Sequence, residues 1–318
     1  MKWSKLGLSF EPAQHVLPNG CSEFAQSPQA LVLDDRVRIY FSTRTREPAG
    51  KFLSHIAFVD FERSMKKVLG VSTGPVIKLG NLGTFDEHGI FPMNVLRQKE
   101  AIYAYTCGWS RRVSVSVETS IGLAISRDGG LSFEKSGEGP ILTSSIHEPF
   151  LVGDPFVAVY GETWHMWYIF GTKWMKSTEH EPFPARVYKI AKATSTDGRT
   201  WVKEGRRLID DRLNSDECQA LPTVIEIDGR YHMYFCYREA TDFRKNKERG
   251  YRLGYAFSDD LKNWTRDDGQ AGIDISAQGW DSEMQCYPNL FRCDGEVYLL
   301  YNGNEFGRFG FGIARLEQ

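Results

Sequence analysis

Residues 23–28 read Glu23-Phe24-Ala25-Gln26-Ser27-Pro28, and the same pattern, a glutamate followed by a short spacer and a proline, occurs five times along the chain. The five prolines lie 63 to 67 residues apart, at Pro28, Pro92, Pro155, Pro222 and Pro288. Self-similarity at a nearly fixed period is the signature of a repeat architecture. The chain is therefore predicted to contain five equivalent structural units.

Each proline is followed by an apolar stretch, a turn and an alternating aromatic stretch, which predict two antiparallel strands joined by a tight turn. A third strand follows in every unit. In three units it continues into a Ser-x-Asp turn and an aromatic residue that opens a fourth strand, and these turns begin at Ser126, Ser195 and Ser258. Four short antiparallel strands repeated five times predict an all-β fold, a five-bladed β-propeller.

The N-terminal residues complete this pattern. Lys2-Trp3-Ser4-Lys5 resembles the fourth-strand opening Thr200-Trp201-Val202-Lys203, whereas the last unit stops after its third strand. We therefore expect the N-terminal strand to complete the last blade and to cover its edge. This predicts one domain over residues 1–318, with blades at about 13–80, 81–140, 141–210, 211–275, and 276–318 plus 1–12.

Composition and charge narrow the class of protein. The chain has 318 residues, of which 41% are hydrophobic and 25% charged, and 39 basic against 41 acidic residues give a net charge of −2. Nucleic-acid and membrane partners, which would favour a basic excess, are not expected. The N-terminal sequence has no apolar signal region, and the six cysteines are scattered. Reduced thiols and a cytoplasmic location are therefore expected, and the oligomeric state is left open.

Acidic residues recur where each first strand begins. The loops that enter the first strands of a propeller meet at one mouth of the central channel, so these carboxylates are predicted to lie together. The set comprises Glu23, Asp86, Glu87, Glu148, Asp154, Glu217, Asp281 and Glu283. Crowded carboxylates push their pKa values apart, which suits one acid beside one base. In at least two of the five units, however, the acid is expected to be structural and to cap a turn.

Basic, aromatic and amide residues recur where the second strands end, on the same face. Together with His88, beside Glu87, and with Asp86, Glu148 and Glu283 of the acidic set, they are the predicted substrate-binding residues: Arg44, Arg46, Trp109, Arg111, Arg112, Lys173, Trp174, Arg238, Asn302 and Asn304. Arginine forks match carboxylate or phosphate oxygens, and aromatic faces suit sugar rings. This pattern favours a polar, anionic ligand, unless the cations only neutralise the acidic loops.

The seven histidines are dispersed and form no metal-binding motif, so no metal is expected to be required for chemistry. Closely spaced carboxylates would still be compatible with a single calcium or magnesium ion at the centre of the channel. Dinucleotide-binding, P-loop and nucleophile-elbow motifs are absent from the sequence.

The repeated turns, together with Gly153-Asp154-Pro155 and Asp216-Glu217-Cys218, resemble the five-bladed glycosidase superfamily. That superfamily holds the arabinanase and β-xylosidase, the invertase and fructosidase, and the β-mannoside phosphorylase families. The resemblance implies that Asp154 orients the proton donor and modulates its pKa, and that Glu217 is the donor. These hydrolases carry an aspartate before the first-blade proline, where this chain has Ser27.

The main hypothesis is therefore a glycoside hydrolase in which Glu217 donates a proton and Glu87 or Glu23 acts as base. The departure at Ser27 leaves two alternatives open. One is a glycoside phosphorylase or glycosyltransferase that uses a phosphate-containing co-substrate. The other is a glycan-binding propeller without catalysis. In each case the expected partner is a glycan or glycosyl donor, and the basic loops predict that it is anionic.

Overall fold

The computed structural model describes residues 1–177 and 183–317, which form twenty β-strands in five groups. Group 1 contains β2 (Glu23–Val32), β3 (Val37–Arg46), β4 (Phe52–Phe61) and β5 (Val68–Val71). Group 2 contains β6 (Gly89–Gln98), β7 (Ala101–Arg111), β8 (Val117–Ser126) and β9 (Glu134–Lys135). Group 3 contains β10 (Val152–Tyr160), β11 (Thr163–Met175), β12 (Ala185–Ser195) and β13 (Val202–Lys203).

Group 4 contains β14 (Cys218–Ile227), β15 (Arg230–Arg238), β16 (Arg252–Ser258) and β17 (Thr265–Arg266). Group 5 contains β18 (Cys286–Cys293), β19 (Glu296–Asn302), β20 (Phe311–Leu316) and the N-terminal β1 (Trp3–Phe10). The helices are single turns: α1 at Asn304–Gly307 and four 3₁₀ turns at Pro12–Gln14, Pro18–Gly20, Lys247–Arg249 and Asp268–Gln270. The predicted all-β class is confirmed.

Neighbouring strands within each group are antiparallel. Groups 1 and 2 are joined into one larger sheet by a single parallel pair, Ser54 with Gly89. The first strand of each group contacts the first strands of two other groups, in the closed order β2, β6, β10, β14, β18 and back to β2. The five groups therefore surround a common axis.

The N-terminal strand β1 takes the outer position in group 5. It pairs with β20, with Trp3 opposite Leu316 and Lys5 opposite Ala314. The Trp3 indole N–H donates to the Tyr234 hydroxyl at 2.8 Å and so also ties β1 to group 4. Because β1 comes from the opposite end of the chain, its pairing closes the ring and covers the edge of β20.

The second strands are apolar on both faces because each group packs against two neighbours. In β3, Val37, Ile39 and Phe41 pack with residues of group 5 such as Phe311, whereas the intervening Tyr40 packs with residues of group 2. A strand buried on both faces has no solvent-facing side to make polar. This explains why these segments read as continuous aromatic and branched stretches rather than as a strict alternation.

The Ser-x-Asp turns between third and fourth strands have a structural role. In the turn after β12, Ser195 Oγ donates to Asp197 Oδ1 at 2.9 Å, and Asp197 accepts the backbone N–H groups of residues 199 and 200 at 2.8 Å. These backbone bonds lower the pKa of Asp197 to about 2. The Tyr105 hydroxyl of group 2 donates to the Gly198 carbonyl, and Gly198 has φ 69° with no room for a side chain. The turns therefore tie neighbouring groups together.

Candidate active site in the axial cavity

A cavity of about 700 Å³ opens on the axis and takes lining residues from all five strand groups. The first strands contribute Gln26, Phe91, Asp154, Ala220 and Tyr287. Further along these strands buried side-chain amides meet, since Asn94 Nδ2 and Asn289 Nδ2 both donate to Gln29 Oε1, at 3.0 and 3.1 Å. These amides join the first strands of groups 1, 2 and 5, and the cavity lies where all five groups meet.

Asp154 reaches this cavity because of an irregularity that all five first strands share. The pairing register between first and second strands shifts at the repeated proline in each group. In four groups the residue before the proline has a positive φ: Ser27 (55°), Asp154 (51°), Leu221 (47°) and Tyr287 (58°). A bulge of this kind redirects a side chain. Asp154 is the only acidic residue at this position in the five repeats.

Asp154 has the properties of a proton donor. Its side chain is only 7% exposed, and burial raises the pKa of its carboxyl from 3.8 to about 7. The Arg186 guanidinium and the Leu221 backbone N–H favour the ionised form and oppose this shift. A carboxyl that is half protonated near neutral pH can give a proton to a ligand or accept one from it. Asp154 therefore meets the chemical requirement that the sequence resemblance assigned to Glu217.

The same pKa shift predicts a pH dependence of stability. Between about pH 4 and pH 7 Asp154 keeps its proton in the folded state but loses it in the unfolded state. The free energy of unfolding should therefore fall as the pH rises through this window, and Asp154→Asn should remove that part of the slope. Urea unfolding at several pH values measures it, with Asp259→Asn at an exposed carboxyl as the control. Parallel curves for the wild type and Asp154→Asn would contradict the shift.

Five arginines line the cavity, at Arg44, Arg186, Arg238, Arg244 and Arg308. The Cζ atom of Arg44, on β3, lies 4.4 Å from the ring centre of Phe24. The Cζ atom of Arg244 lies 4.3 Å from the ring centre of Phe243. Arg308, at the rim, forms ion pairs of 3.1 Å with Glu23 and Glu305. The lining contains two acidic residues, Asp154 and Glu305, so positive charge is in excess.

Arg238 differs from the other four because it is buried and bonded to the wall. Its guanidinium lies 3.5 Å from the Phe243 ring centre, and Nη2 donates to the Tyr188 hydroxyl at 2.8 Å. Tyr188 and Tyr251 share a hydroxyl–hydroxyl bond of 2.7 Å. Arg238 therefore holds an aromatic wall in place, and it also adds positive charge to the cavity.

The predicted ring of carboxylates does not form at the mouth. Four of these acids instead make buried ion pairs with a base on the fourth strand of their own group: Asp86 with Lys135, Glu148 with Lys203, Glu217 with Arg266, and Asp281 with Lys5. In each case the base lies two residues after the aromatic residue that opens the fourth strand. Each pair joins the start of the first strand to the outer strand, and Asp86 and Glu148 lie outside the cavity lining.

Glu217 is also not placed to act as a proton donor to a ligand in the cavity. Its side chain is 0% exposed and lies 2.6 Å from Arg266. The same carboxylate accepts the backbone N–H groups of Arg212 and Leu213, at 2.9 and 3.0 Å, and the Gln219 amide at 2.9 Å. With these partners it closes an interior network, and the cavity lining includes Asp154 but not Glu217.

The two predicted bases lie at the rim. Glu23 pairs with Arg308, and Glu87 accepts the Gly83 backbone N–H at 2.9 Å and lies 3.8 Å from His88. Neither Glu23, Glu87 nor His88 lines the cavity. Among the residues that the structure describes, the second carboxylate of the lining is Glu305, which pairs with Arg308. A buried pair of catalytic carboxylates is therefore not present in the described part of the lining.

The remaining predicted residues divide into two sets. Arg44, Trp109 and Arg238 line the cavity. The others lie outside its lining and have structural partners: Arg46 with the Gly50 carbonyl, Arg111 with Glu47, Arg112 with Glu118, Lys173 with Asp216, Trp174 in a β-pair with Arg186, Asn302 with the Ala25 and Gly310 carbonyls, and Asn304 with the Glu283 backbone N–H. Asn302 thus fastens group 5 to group 1.

Sequence analysis missed Arg186 and Tyr188, which lie at the start of the third strand β12. The prediction considered cations only at the ends of second strands. The register between β11 and β12 places Arg186 opposite Trp174, so extending the same reasoning to the paired strand would have found it.

The structure also bears on metal binding, on membrane-spanning helices and on the state of the cysteines. No cluster of three or more His, Cys, Asp or Glu side chains suited to a metal ion occurs in residues 1–177 and 183–317, and the crowded carboxylates that suggested calcium or magnesium are paired with bases instead. Over the same residues, no helix is both long and apolar enough to cross a membrane. All six cysteines are free thiols.

Solved structures share this architecture at low sequence identity. The BT0996–RGII complex matches with a TM-score of 0.73 at 16% identity, over 99% of this chain and 92% of its own. An endo-arabinase from Bacteroides thetaiotaomicron matches with a TM-score of 0.66 at 12% identity, over 98% of both chains. A GH32 β-fructofuranosidase from Bombyx mori matches with a TM-score of 0.61 at 13% identity, over 92% and 61%. These similarities establish the fold, which is that of the propeller glycoside hydrolases.

Two proteins of Mycobacterium tuberculosis are related along the entire sequence. Rv1502 of strain H37Rv and MT1551 of strain CDC 1551 are each 32% identical to this chain over 323 residues, which covers 100% of both sequences in each comparison. No protein-family model matches the chain. The chain belongs to the same family as these two mycobacterial proteins, within the fold of the propeller glycosidases.

Proposed function

We propose that this protein is an enzyme that cleaves or transfers a glycosidic bond in the axial cavity, with Asp154 as the proton donor. The observation that carries the proposal is the buried Asp154 carboxyl, whose pKa is raised to about 7 at the wall of a pocket with an aromatic lining. Glycosidic cleavage needs an acid that protonates the leaving oxygen while positive charge develops on the sugar. The shared fold with glycoside hydrolases is consistent with this chemistry.

The reaction balances with one carboxylic acid and an external nucleophile. As the bond between the anomeric carbon and the glycosidic oxygen breaks, Asp154 transfers its proton to that oxygen and becomes a carboxylate. An oxygen of water or of a phosphate then forms the new bond to the anomeric carbon. With water the product is a free sugar, and with phosphate it is a glycosyl phosphate. The proton that the nucleophile releases restores Asp154.

The charge of the cavity supports a second candidate, transfer to or from a phosphate-containing co-substrate. Hydrolysis by two carboxylates places them roughly 5–5.5 Å or 6.5–9.5 Å apart, with both at the sugar. Here the described lining offers Asp154 and the ion-paired Glu305, together with an excess of arginine. An anionic glycan or glycosyl donor would use that positive charge.

The architecture in the proposal is a five-bladed propeller in one domain. The closed contact order of the five first strands supports it, and each strand group would be one blade. The blade boundaries, an action on polysaccharide and a cytoplasmic location stay predictions from the sequence.

The test is a panel of glycosides incubated with the purified chain, with and without inorganic phosphate. Free sugar formed at the same rate in both conditions identifies a hydrolase, and a glycosyl phosphate formed only with phosphate identifies a phosphorylase. Extension of an acceptor from a glycosyl phosphate, by a protein that forms no glycosyl phosphate from glycosides and inorganic phosphate, identifies a transferase. Binding of a glycan by calorimetry without turnover of any substrate would overturn the enzymatic proposal and leave a binding propeller.

A further inference from the structure

We infer that Arg44, Arg186 and Arg244 form a subsite for a phosphoryl group inside the axial cavity. The inference rests on the proposed function, because it takes the ligand to be a sugar or its co-substrate. It goes further by naming the charged group of that ligand. The three residues come from strands β3 and β12 and from the loop between β15 and β16, so three strand groups converge on the subsite.

The three guanidinium groups line one cavity, and Arg244 lies close enough to be linked electrostatically to both others. Desolvation lowers the pKa of Arg44, and the charge of Arg244 adds to this effect. Desolvation also lowers the pKa of Arg244, and the charges of Arg238 and Arg186 add to it. The largest contributions to both shifts are desolvation, other arginines and tyrosines. In the part of the chain that the structure describes, the ion pairs of the cavity arginines involve Arg308 alone. The mutual repulsion of the other guanidinium groups is therefore not relieved by an ion pair among the described residues.

Arg44 is held in a fixed position without having its hydrogen bonds satisfied. Its guanidinium lies 4.4 Å from the Phe24 ring centre and 5.4 Å from that of Phe52, and its buried Nε–H has no acceptor among the described residues. Stacking on aromatic rings orients an arginine but uses none of its five N–H donors. A buried donor without a partner costs stability. A ligand oxygen in the cavity would supply the missing acceptor.

The number of arginines in the subsite favours a phosphoryl group over a sugar carboxylate. One guanidinium fork is enough to pair with a carboxylate, which carries one charge on two oxygens. A phosphate monoester carries about −1.5 to −2 charges at pH 7 and presents three acceptor oxygens. Three guanidinium groups that form no ion pair with a described residue can donate to all three oxygens, and a phosphoryl group neutralises more of their charge than a carboxylate does. A hexuronate, with one negative charge, would leave more of that positive charge unneutralised.

Calorimetric titration of the full chain at pH 7 with three probes tests the subsite: inorganic phosphate, glucose 1-phosphate and glucuronate. We expect the two phosphoryl probes to bind with salt-dependent affinity, and glucuronate to bind at least about tenfold more weakly. If glucose 1-phosphate binds tenfold more tightly than phosphate, the group arrives on the sugar; equal affinity indicates free phosphate as co-substrate. Glucuronate binding as tight as either phosphoryl probe, or no binding of any probe, would overturn the inference.

Variants locate the site. Arg244→Ala, on the loop between β15 and β16, should weaken phosphate binding by about tenfold or more, and Arg44→Gln should do the same. Arg112→Ala removes an exposed arginine that is paired with Glu118 outside the lining, and it should leave the affinity unchanged. If Arg112→Ala lost as much affinity for phosphate, the losses would reflect the net charge of the protein and would contradict the subsite. Asp154→Asn should lose turnover but keep phosphate binding, which separates failure of this inference from failure of the proposed function.

Discussion

Replacing Asp154 with Asn is expected to lower kcat/KM on a glycoside with a poor leaving group by about 10²–10⁴-fold, because the variant cannot donate the proton. The amide has nearly the same size and fills the same bulge, so the fold should persist. The loss should be much smaller on a dinitrophenyl glycoside, whose leaving group departs without protonation. Steady-state kinetics of both substrates, at pH values on either side of 7, measure this difference.

The matched control is Glu87→Gln at the rim, which should leave both rates unchanged. Wild-type activity on the poor leaving group should also decline as the pH rises above about 7, because Asp154 then loses its proton. An equal loss on both substrates, or a loss in Glu87→Gln as large as in Asp154→Asn, would show that Asp154 is not the general acid.

Replacing Glu217 with Ala is expected to reduce the free energy of unfolding by about 3–5 kcal/mol. The change leaves the buried Arg266 without its 2.6 Å partner and removes the acceptor of two backbone N–H groups. Glu217→Gln keeps the size and part of the hydrogen bonding and should be less destabilised. Urea denaturation at pH 7 provides the measurement.

The comparison for this experiment is the exposed ion pair of Arg230 with Asp259, also a close contact at 2.7 Å. Arg230→Ala should destabilise the fold much less than Glu217→Ala does, because solvent screens the exposed pair. Glu217 variants that fold should retain the activity that depends on Asp154. A Glu217→Gln protein that is as stable as the wild type but inactive would restore Glu217 as a catalytic residue.

The recurring acids show where sequence reasoning succeeded and where it did not. Their spacing correctly marked the start of each first strand, and thus the repeat itself. The spacing did not show which way each acidic side chain points, because a residue a few positions before a bulge can face either the axis or the outer strand. The base two residues after each fourth-strand aromatic was visible in the sequence as Lys5, Lys135, Lys203 and Arg266, and pairing it with the acid would have revealed the structural role.

The sequence by itself determined the repeat period, the four antiparallel strands of each unit and the outer position of β1, because these follow from local turn chemistry and hydrophobic pattern. Tertiary structure alone decided which charges meet. The bulge before each proline turns Asp154 toward the axis, and burial there raises its pKa to about 7. Arg44, Arg186 and Arg244 lie 58 or more residues apart in sequence and share one cavity only after the ring closes. Electrostatic environment depends on such long-range neighbours, which no local pattern encodes.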